Sequence, residues 1–430
     1  MSYRKSWSRS QRRTDTRAAT PRKSQADMTR PPRAALGQTE FIVLMAMLVA
    51  TVAFSIDAML PALPEIGQVL SPDAPNQAQL ILTSFILGMG LGTFFTGPLS
   101  DTFGRKPVMI GGAAVYIAGA AAAYFAQSLE IMLAARLVQG LGAAGPRVVA
   151  LALVRDLYGG RDMARIMSFV MLIFAIVPAM APTLGHYIIL GFGWRSIFLA
   201  FILFAALAVL WLGIRQPETL PPEKRRSLRL APMVIAVREI LSNHTTRTSI
   251  LVQTLTFGML FIVLSSTQQV FDVTFGQGEH FHLWFGGIAI LAASASLINA
   301  QLVGRLGMRA IVKTMFTIQI VVTLVMIVLT AFNGPWLLSF GIYVVWTTSN
   351  FFQAGLTIGN LNALAMEPMG HIAGIAASMI AALSTVGAVI IAAPVGLAFD
   401  GSPMPMAIGI LICAALALWL TTTIKRPGEA

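Results

Sequence analysis

Charge is scarce in this sequence: Asp, Glu, Lys and Arg make up 11% of its 430 residues, against about 25% in soluble domains. That scarcity excludes an ordinary water-soluble globule. Cysteine is nearly absent as well. Cys413 stands alone in an apolar run, which excludes a disulfide framework and a thiolate metal site. The histidines, at positions 186, 244, 280, 282 and 371, show no ligand spacing. No HExxH, GxSxG or phosphate-binding glycine loop occurs, so nothing supports catalysis, and neither a metal nor a cofactor is expected.

What the chain has in place of charge is hydrophobicity in long blocks, 56% of all residues. About 20 apolar residues carry a helix across the roughly 30 Å hydrocarbon core of a bilayer. Twelve such spans are expected, at 41–63, 79–99, 107–126, 131–153, 165–190, 196–214, 249–271, 283–303, 311–331, 336–359, 373–398 and 404–424. The fold class is therefore an all-α polytopic membrane protein, with six helices in each half. The positive charge sets its direction. With the N-terminus in the cytoplasm, the segments on that side hold 27 of the 30 Lys and Arg, and only Arg195 lies outside. Arg136 and Arg147 lie within the membrane. By the positive-inside rule both termini are cytoplasmic. The net charge of +12 is then topological, so a nucleic-acid partner is not needed to explain it.

Residues 1–39 form a basic tail of disordered composition, with ten Lys/Arg among Ser, Thr and Pro. It reads as a solvated arm touching anionic lipid; an organellar transit peptide and a true start at Met28 are the other readings. An N-terminal half (40–214) and a C-terminal half (249–425) flank a central loop, 215–248, and a short tail follows at 426–430. In the loop, Leu230, Met233, Val234, Val237, Ile240 and Leu241 recur at helical spacing, as in an interfacial amphipathic helix. A soluble, turn-rich linker is the alternative.

Ionisable groups within a bilayer cost at least about 2.5–3.5 kcal/mol at the helix centre, so they mark function. Asp57, in VAFSIDAMLPALP, is the one acidic residue well inside a span. It lies about 10 Å from the outer end of its helix at roughly 1.5 Å per residue, a depth matched by Arg136 in the fourth span. An Asp57–Arg136 pair or a shared water cavity is expected. A carboxylate drawn toward the neutral form by burial and toward the charged form by a guanidinium can trade a proton for a substrate. A structural ion pair and an aspartate at the outer rim are the plainer readings. Arg147 returns to within about 20° of the Arg136 face, with Gly140 between them. It is read either as a holder of a gate or an anionic group, or as a packing partner of a helix C-terminus. In the tenth span Asn350, Gln353, Thr357 and Asn360 share one face, to line a cavity or to bond between helices. Gly88 and Gly92 are expected to pack against a neighbouring helix. Pro178 and Pro182 should interrupt and kink the fifth span.

Four stretches together resemble the major facilitator superfamily, specifically its drug:proton antiporters and the bicyclomycin/chloramphenicol-resistance branch. They are GPLSDTFGRKP between spans two and three, RLVQGLGAAG from Arg136, IDAMLPALP around Asp57, and RDLYGGRDMARIMSFVMLIFAIVPAMAPTLG with Pro182 and Gly185 of the antiporter motif. VGRLGMRAIVK after span eight is a weaker copy of the first, with Gly307 but no Asp. The chain departs from the pattern at Thr102, Ala181 and His186; the last leaves open whether His186 titrates or is a spacer. The resemblance implies that Asp57 binds protons in competition with substrate, supported by Arg136, in a cavity lined by spans 1, 4, 7 and 10. Gln139, Gly140, Arg147, Asn350 and Gln353 are the cavity candidates. It also implies a latch of Gly97, Asp101, Gly104, Arg105 and Asp156, in which Asp101 meets the N-terminus of span eleven near Gly370–Ala373 and Arg105 meets Asp156. Both contacts would hold the halves closed on the cytoplasmic side.

The expected function is proton-driven export of amphipathic drugs or small metabolites across a bacterial inner membrane by alternating access. A proton-coupled uptake symporter is the main rival, and a membrane-embedded enzyme or sensor the remote one. The partners expected are the small-molecule substrate, protons and lipid. The protein is expected to be a monomer.

Overall fold

Helices interrupted by prolines and glycines account for the architecture. The computed structural model describes residues 36–424, except Arg226, Arg229, Asn333 and the side chains of Leu230, Ala231 and Pro232. The basic tail up to residue 35 and the C-terminal tail from residue 425 lie outside the described residues.

The first crossing, α1 (Gln38–Asp57), ends at Asp57, where Pro61 and Pro64 deny the ladder its next donors; a turn at Leu60–Ala62 and the short α2 (Leu63–Leu70) continue it. Five more crossings complete the N-terminal half: α3 (Leu80–Phe103), α4 (Arg105–Tyr124), α5 (Leu129–Leu157), α6 (Gly160–Phe192) and α7 (Ser196–Arg215). A further helix, α8 (Leu230–Ser242), forms in the central loop. The C-terminal half holds α9 (His244–Gln269), α10 (Phe281–Leu306), α11 (Met308–Ala331), α12 (Trp336–Met366), α13 (Ala373–Leu397) and α14 (Met404–Thr423). Trp336–Leu397 is a continuous helical run of 62 residues, but the turn at Glu367–Ile372 divides it into two helices. Among the described residues the long apolar helices therefore number twelve, as expected. Pro178 and Pro182 lie within α6, which runs through both from Gly160 to Phe192.

Gly104 and Gly307, at equivalent links of the two halves, have φ of 104° and 78°. That region favours glycine, so each ends one helix and starts the next without a loop. The two halves meet along α3–α13 and α6–α10. The links after α3, α5 and α10, where the basic residues cluster, mark one end of the bundle, here the basic end. Polar contacts between the halves gather at the other, far end. There Asn76 donates to the Phe399 carbonyl (2.7 Å) and accepts from Gln269 (3.3 Å).

Of the apolar stripe expected in α8, Met233, Val237 and Ile240 pack on Ile250, Met369, Met379 and Ile380 at the basic end of the C-terminal half, while Val234 and Leu241 stay exposed. Glu239 and His371 pair beside them at 2.6 Å.

Candidate functional site

Asp57 is 4% exposed and makes no hydrogen bond or ion pair with any described residue. It sits at the break in α1, and the next carbonyl, of Ala58, lies against Gly185 of α6 so closely that a Cβ on Gly185 would collide with it. Pro182 is buried one turn away on the same helix. Gly185 thus brings α6 against the segment that carries the carboxylate.

Arg136 is fully buried, but the expected ion pair with Asp57 does not form. Its guanidinium donates instead to the carbonyl of Ser55 (3.1 Å), the carbonyl of Ile81 (3.4 Å) and Oε1 of Gln139 (2.7 Å). It also stacks on Phe85 at 4.4 Å. These acceptors surround the head group, so a carboxylate is not needed to satisfy it. Ser55 in turn shares a hydrogen bond with the Tyr116 hydroxyl of α4. The network binds α1, α3, α4 and α5 together around the helix turn that ends in Asp57. Ser55 and Tyr116 were not legible as site residues, because a lone Ser and Tyr in apolar spans carry no spacing signal.

Two cavity candidates are buried in the seams between helices. Gly140 lies against the Phe85 carbonyl of α3, with no space for a Cβ, and Gln139 is buried beside Gly119 of α4. Gly88 and Gly92 face the α5 backbone in the same seam, as expected. Arg147 is different: it is half-buried, and its one hydrogen bond among the described residues is to the Met89 thioether of α3 at 3.1 Å.

The polar face of α12 divides between the two roles open to it. Asn360 bonds across to Asn299 of α10 (2.7 Å). Asn350 and Gln353 use their amide nitrogens within α12, on the Trp346 carbonyl and Thr357, and leave Asn350 Oδ1 and Gln353 Oε1 buried and unpartnered. Gln253 Oε1 of α9 and Ser384 Oγ of α13 are unpartnered too.

At the basic end Arg105 bonds Asp156 (2.9 Å) and Asp101 (2.6 Å) together. Among the described residues Asp101 makes no bond to the start of α13; its Oδ1 accepts from Arg105, one turn further on. Both acids belong to the N-terminal half, so the cluster braces that half rather than clasping the two together as expected. Gly97 does approach the other half, at Ser378 of α13. Glu218, which no sequence pattern singled out, is central to the brace. Its carboxylate accepts the backbone N–H groups of Arg105 and Lys106, both at 3.0 Å, and so caps the N-terminus of α4. Gly104 lies so close to Glu218 Oε2 that a side chain there would displace the cap. Thr219 adds a bond to Asp156 at 3.3 Å. The Lys106 target of Glu218 is 112 residues away in the sequence.

The sequence profile of the Major Facilitator Superfamily matches residues 43–392. A bicyclomycin resistance protein homolog of Haemophilus influenzae is 29% identical over 394 residues, 89% of this chain and 96% of the relative. Multidrug resistance protein MdtL of Escherichia fergusonii is 29% identical over 399 residues, 91% of this chain and 97% of the relative. Among solved structures, a D-xylose-proton symporter superposes with a TM-score of 0.72 over 90% of this chain and 98% of its own, at 13% identity, a likeness of fold. Twelve crossing helices, paired glycine links and a profile match over most of its length lead to one assignment: the chain belongs to the major facilitator superfamily.

Proposed function

We propose that this protein is a proton-driven antiporter that exports amphipathic drugs or small metabolites by alternating access. Asp57 is its proton carrier, and the observation that carries the reading is the isolation of that carboxylate. It is buried, without a partner, at a helix break against which the other face of the half is packed. A carboxylate held this way can take and release a proton without first breaking an ion pair. The names of the relatives, bicyclomycin resistance and multidrug resistance, point toward export. Arg136 keeps the turn before Asp57 in place, and the Arg105–Asp156–Glu218 brace makes the N-terminal half move as one body. The basic end faces the cytoplasm of a bacterial cell, in its inner membrane, with both termini on that side. No cofactor is required: one charge moving through 100 mV releases about 2.3 kcal/mol, enough for a gradient of roughly 50-fold.

The test is substrate-induced proton release from acidified inverted vesicles. Wild-type protein should release protons when substrate is added. Asp57→Asn should abolish the release while reaching the membrane in the wild-type amount. Full release from that variant overturns the assignment of Asp57, and proton movement of the opposite sign selects the uptake symporter.

A further inference from the structure

Arg136 and Arg147 lie on the same face of α5, and their surroundings differ. Arg136 is enclosed by two carbonyls, an amide oxygen and an aromatic ring. Arg147 meets one thioether. No carboxylate pairs with it among the described residues, and its guanidinium keeps donors to spare. A charge in a membrane span requires a partner or water, and what completes this one is not among the described residues.

The direction in which Arg147 is open decides what that partner is. On α5, Ile131, Val138 and Leu141 are the exposed apolar side chains. Arg147 stands nine residues beyond Val138, half a turn round the helix at about 100° per residue. Its exposed part therefore turns away from lipid and toward the interior of the bundle. Its level is the middle of the membrane, where transporters of this architecture place substrate. Met89 lies near the midpoint of α3, and its neighbour Gly90 touches Thr385 and Val386 near the midpoint of α13 in the other half. At the same level the C-terminal half offers unpartnered oxygens on Gln253, Asn350, Gln353 and Ser384.

We infer that Arg147 binds the anionic group of the transported substrate, an organic acid whose hydroxyl or amine donors meet the amide and hydroxyl oxygens of the C-terminal half. The inference rests on the transport reading above and adds the charge of the substrate to it. Arg147 stands about 16 Å along α5 from Arg136, the residue beside the proton-carrying turn. Anion and proton therefore occupy different places, and their exchange is coupled through the conformational change. An inside-negative potential itself favours outward movement of such an anion.

Matched acids and esters test this on the purified full-length protein. Gallate and salicylate are the anions, and methyl gallate and methyl salicylate their neutral counterparts. Binding is read as protection against heat over a concentration series. The acids should half-saturate at about tenfold lower concentration than their esters, the size of a charge-assisted contact. Arg147→Gln should erase that preference, and Arg147→Lys should retain part of it. Equal protection by acid and ester, no protection by either acid, or an acid preference that survives in Arg147→Gln each overturns the inference. Proton release by a neutral amphipathic drug in wild-type vesicles reports on the antiport reading separately. If that release occurs, failure of the acid preference removes only the anion site.

Discussion

The two halves of this bundle share a fold and distribute their polar groups in opposite ways. The N-terminal half concentrates charge and wires it. Arg136 closes a network with Ser55, Gln139 and Tyr116, and Arg105 joins Asp101 to Asp156 under the Glu218 cap. Glu40 holds Arg215 through both carboxylate oxygens, each at 3.0 Å. The C-terminal half places neutral amides and hydroxyls along α9, α12 and α13 and leaves several of their oxygens without partners. A buried polar atom without a partner costs about 1–3 kcal/mol. The C-terminal half carries more such atoms than the N-terminal half, where Gln79 and the Gln139 nitrogen also lack partners among the described residues. The N-terminal half thus resembles a preset mechanism, and the C-terminal half resembles a surface waiting for a ligand. The weaker copy of the loop motif fits this division, since VGRLGMRAIVK keeps the glycine turn at Gly307 but lacks the Asp.

The largest effect that can break this comparison comes from Arg136. Arg136→Ala leaves two carbonyls and the Gln139 amide without their donor in a fully buried site. It should lower the thermal stability of the detergent-solubilised protein strongly, by several kcal/mol if it folds at all. Gln353→Ala removes an oxygen without a partner among the described residues and one amide bond, to Thr357 within the same helix. It should leave stability within about 1 kcal/mol of wild type, by the same accounting, while raising the half-saturating substrate concentration. Thermal melting monitored by size-exclusion chromatography, together with transport in vesicles, checks both. Equal destabilisation by the two substitutions would show that the halves are built alike.

The spans, the fold and the position of the buried acid were legible in the sequence because a membrane demands long apolar blocks and tolerates few charges. So was the close packing at Gly88 and Gly92, whose four-residue spacing puts both on one face. Partners were less legible. Matching depths made Arg136 a plausible partner for Asp57, but depth does not fix the side-chain direction, and backbone carbonyls supplied what an ion pair would have. Gly140 shared a face with both arginines, yet the approach of α3 filled the space that a cavity needed. The Arg105–Asp156 contact was anticipated correctly and its consequence was not, because both residues lie in one half. Glu218 could not be found at all: capping a helix from 112 residues away leaves no local spacing to read.

The brace gives the next contrast, of intermediate size. Glu218→Gln weakens the acceptor at the start of α4, and a cap of this kind is worth about 1 kcal/mol, or about fivefold in a local opening equilibrium. Backbone amides of the first turn of α4 should exchange hydrogen faster by that factor, and transport should slow with little change in half-saturation. Glu239→Gln, at the exposed pair with His371 in the C-terminal half, should change neither, since exposed pairs contribute about 0–1 kcal/mol. Faster exchange in α4 without slower transport would confine the brace to stability.

The smallest effect lies where the two halves touch at the far end. His186 of α6 and His282 of α10 stack there with ring centroids 4.2 Å apart and planes 10° from parallel. Tyr187 meets both rings edge-on, and His280 stands at the start of α10 on the same side. An aromatic contact of this kind is worth about 0.5–1.5 kcal/mol beyond the area it buries. His186→Phe keeps an aromatic face against His282 and should leave the thermal stability of the detergent-solubilised protein as in wild type. His186→Ala removes the stack and should lower that stability by about the worth of one such contact. Thermal melting checks both, and equal stability of the two variants would leave the stack with no weight in holding the halves together.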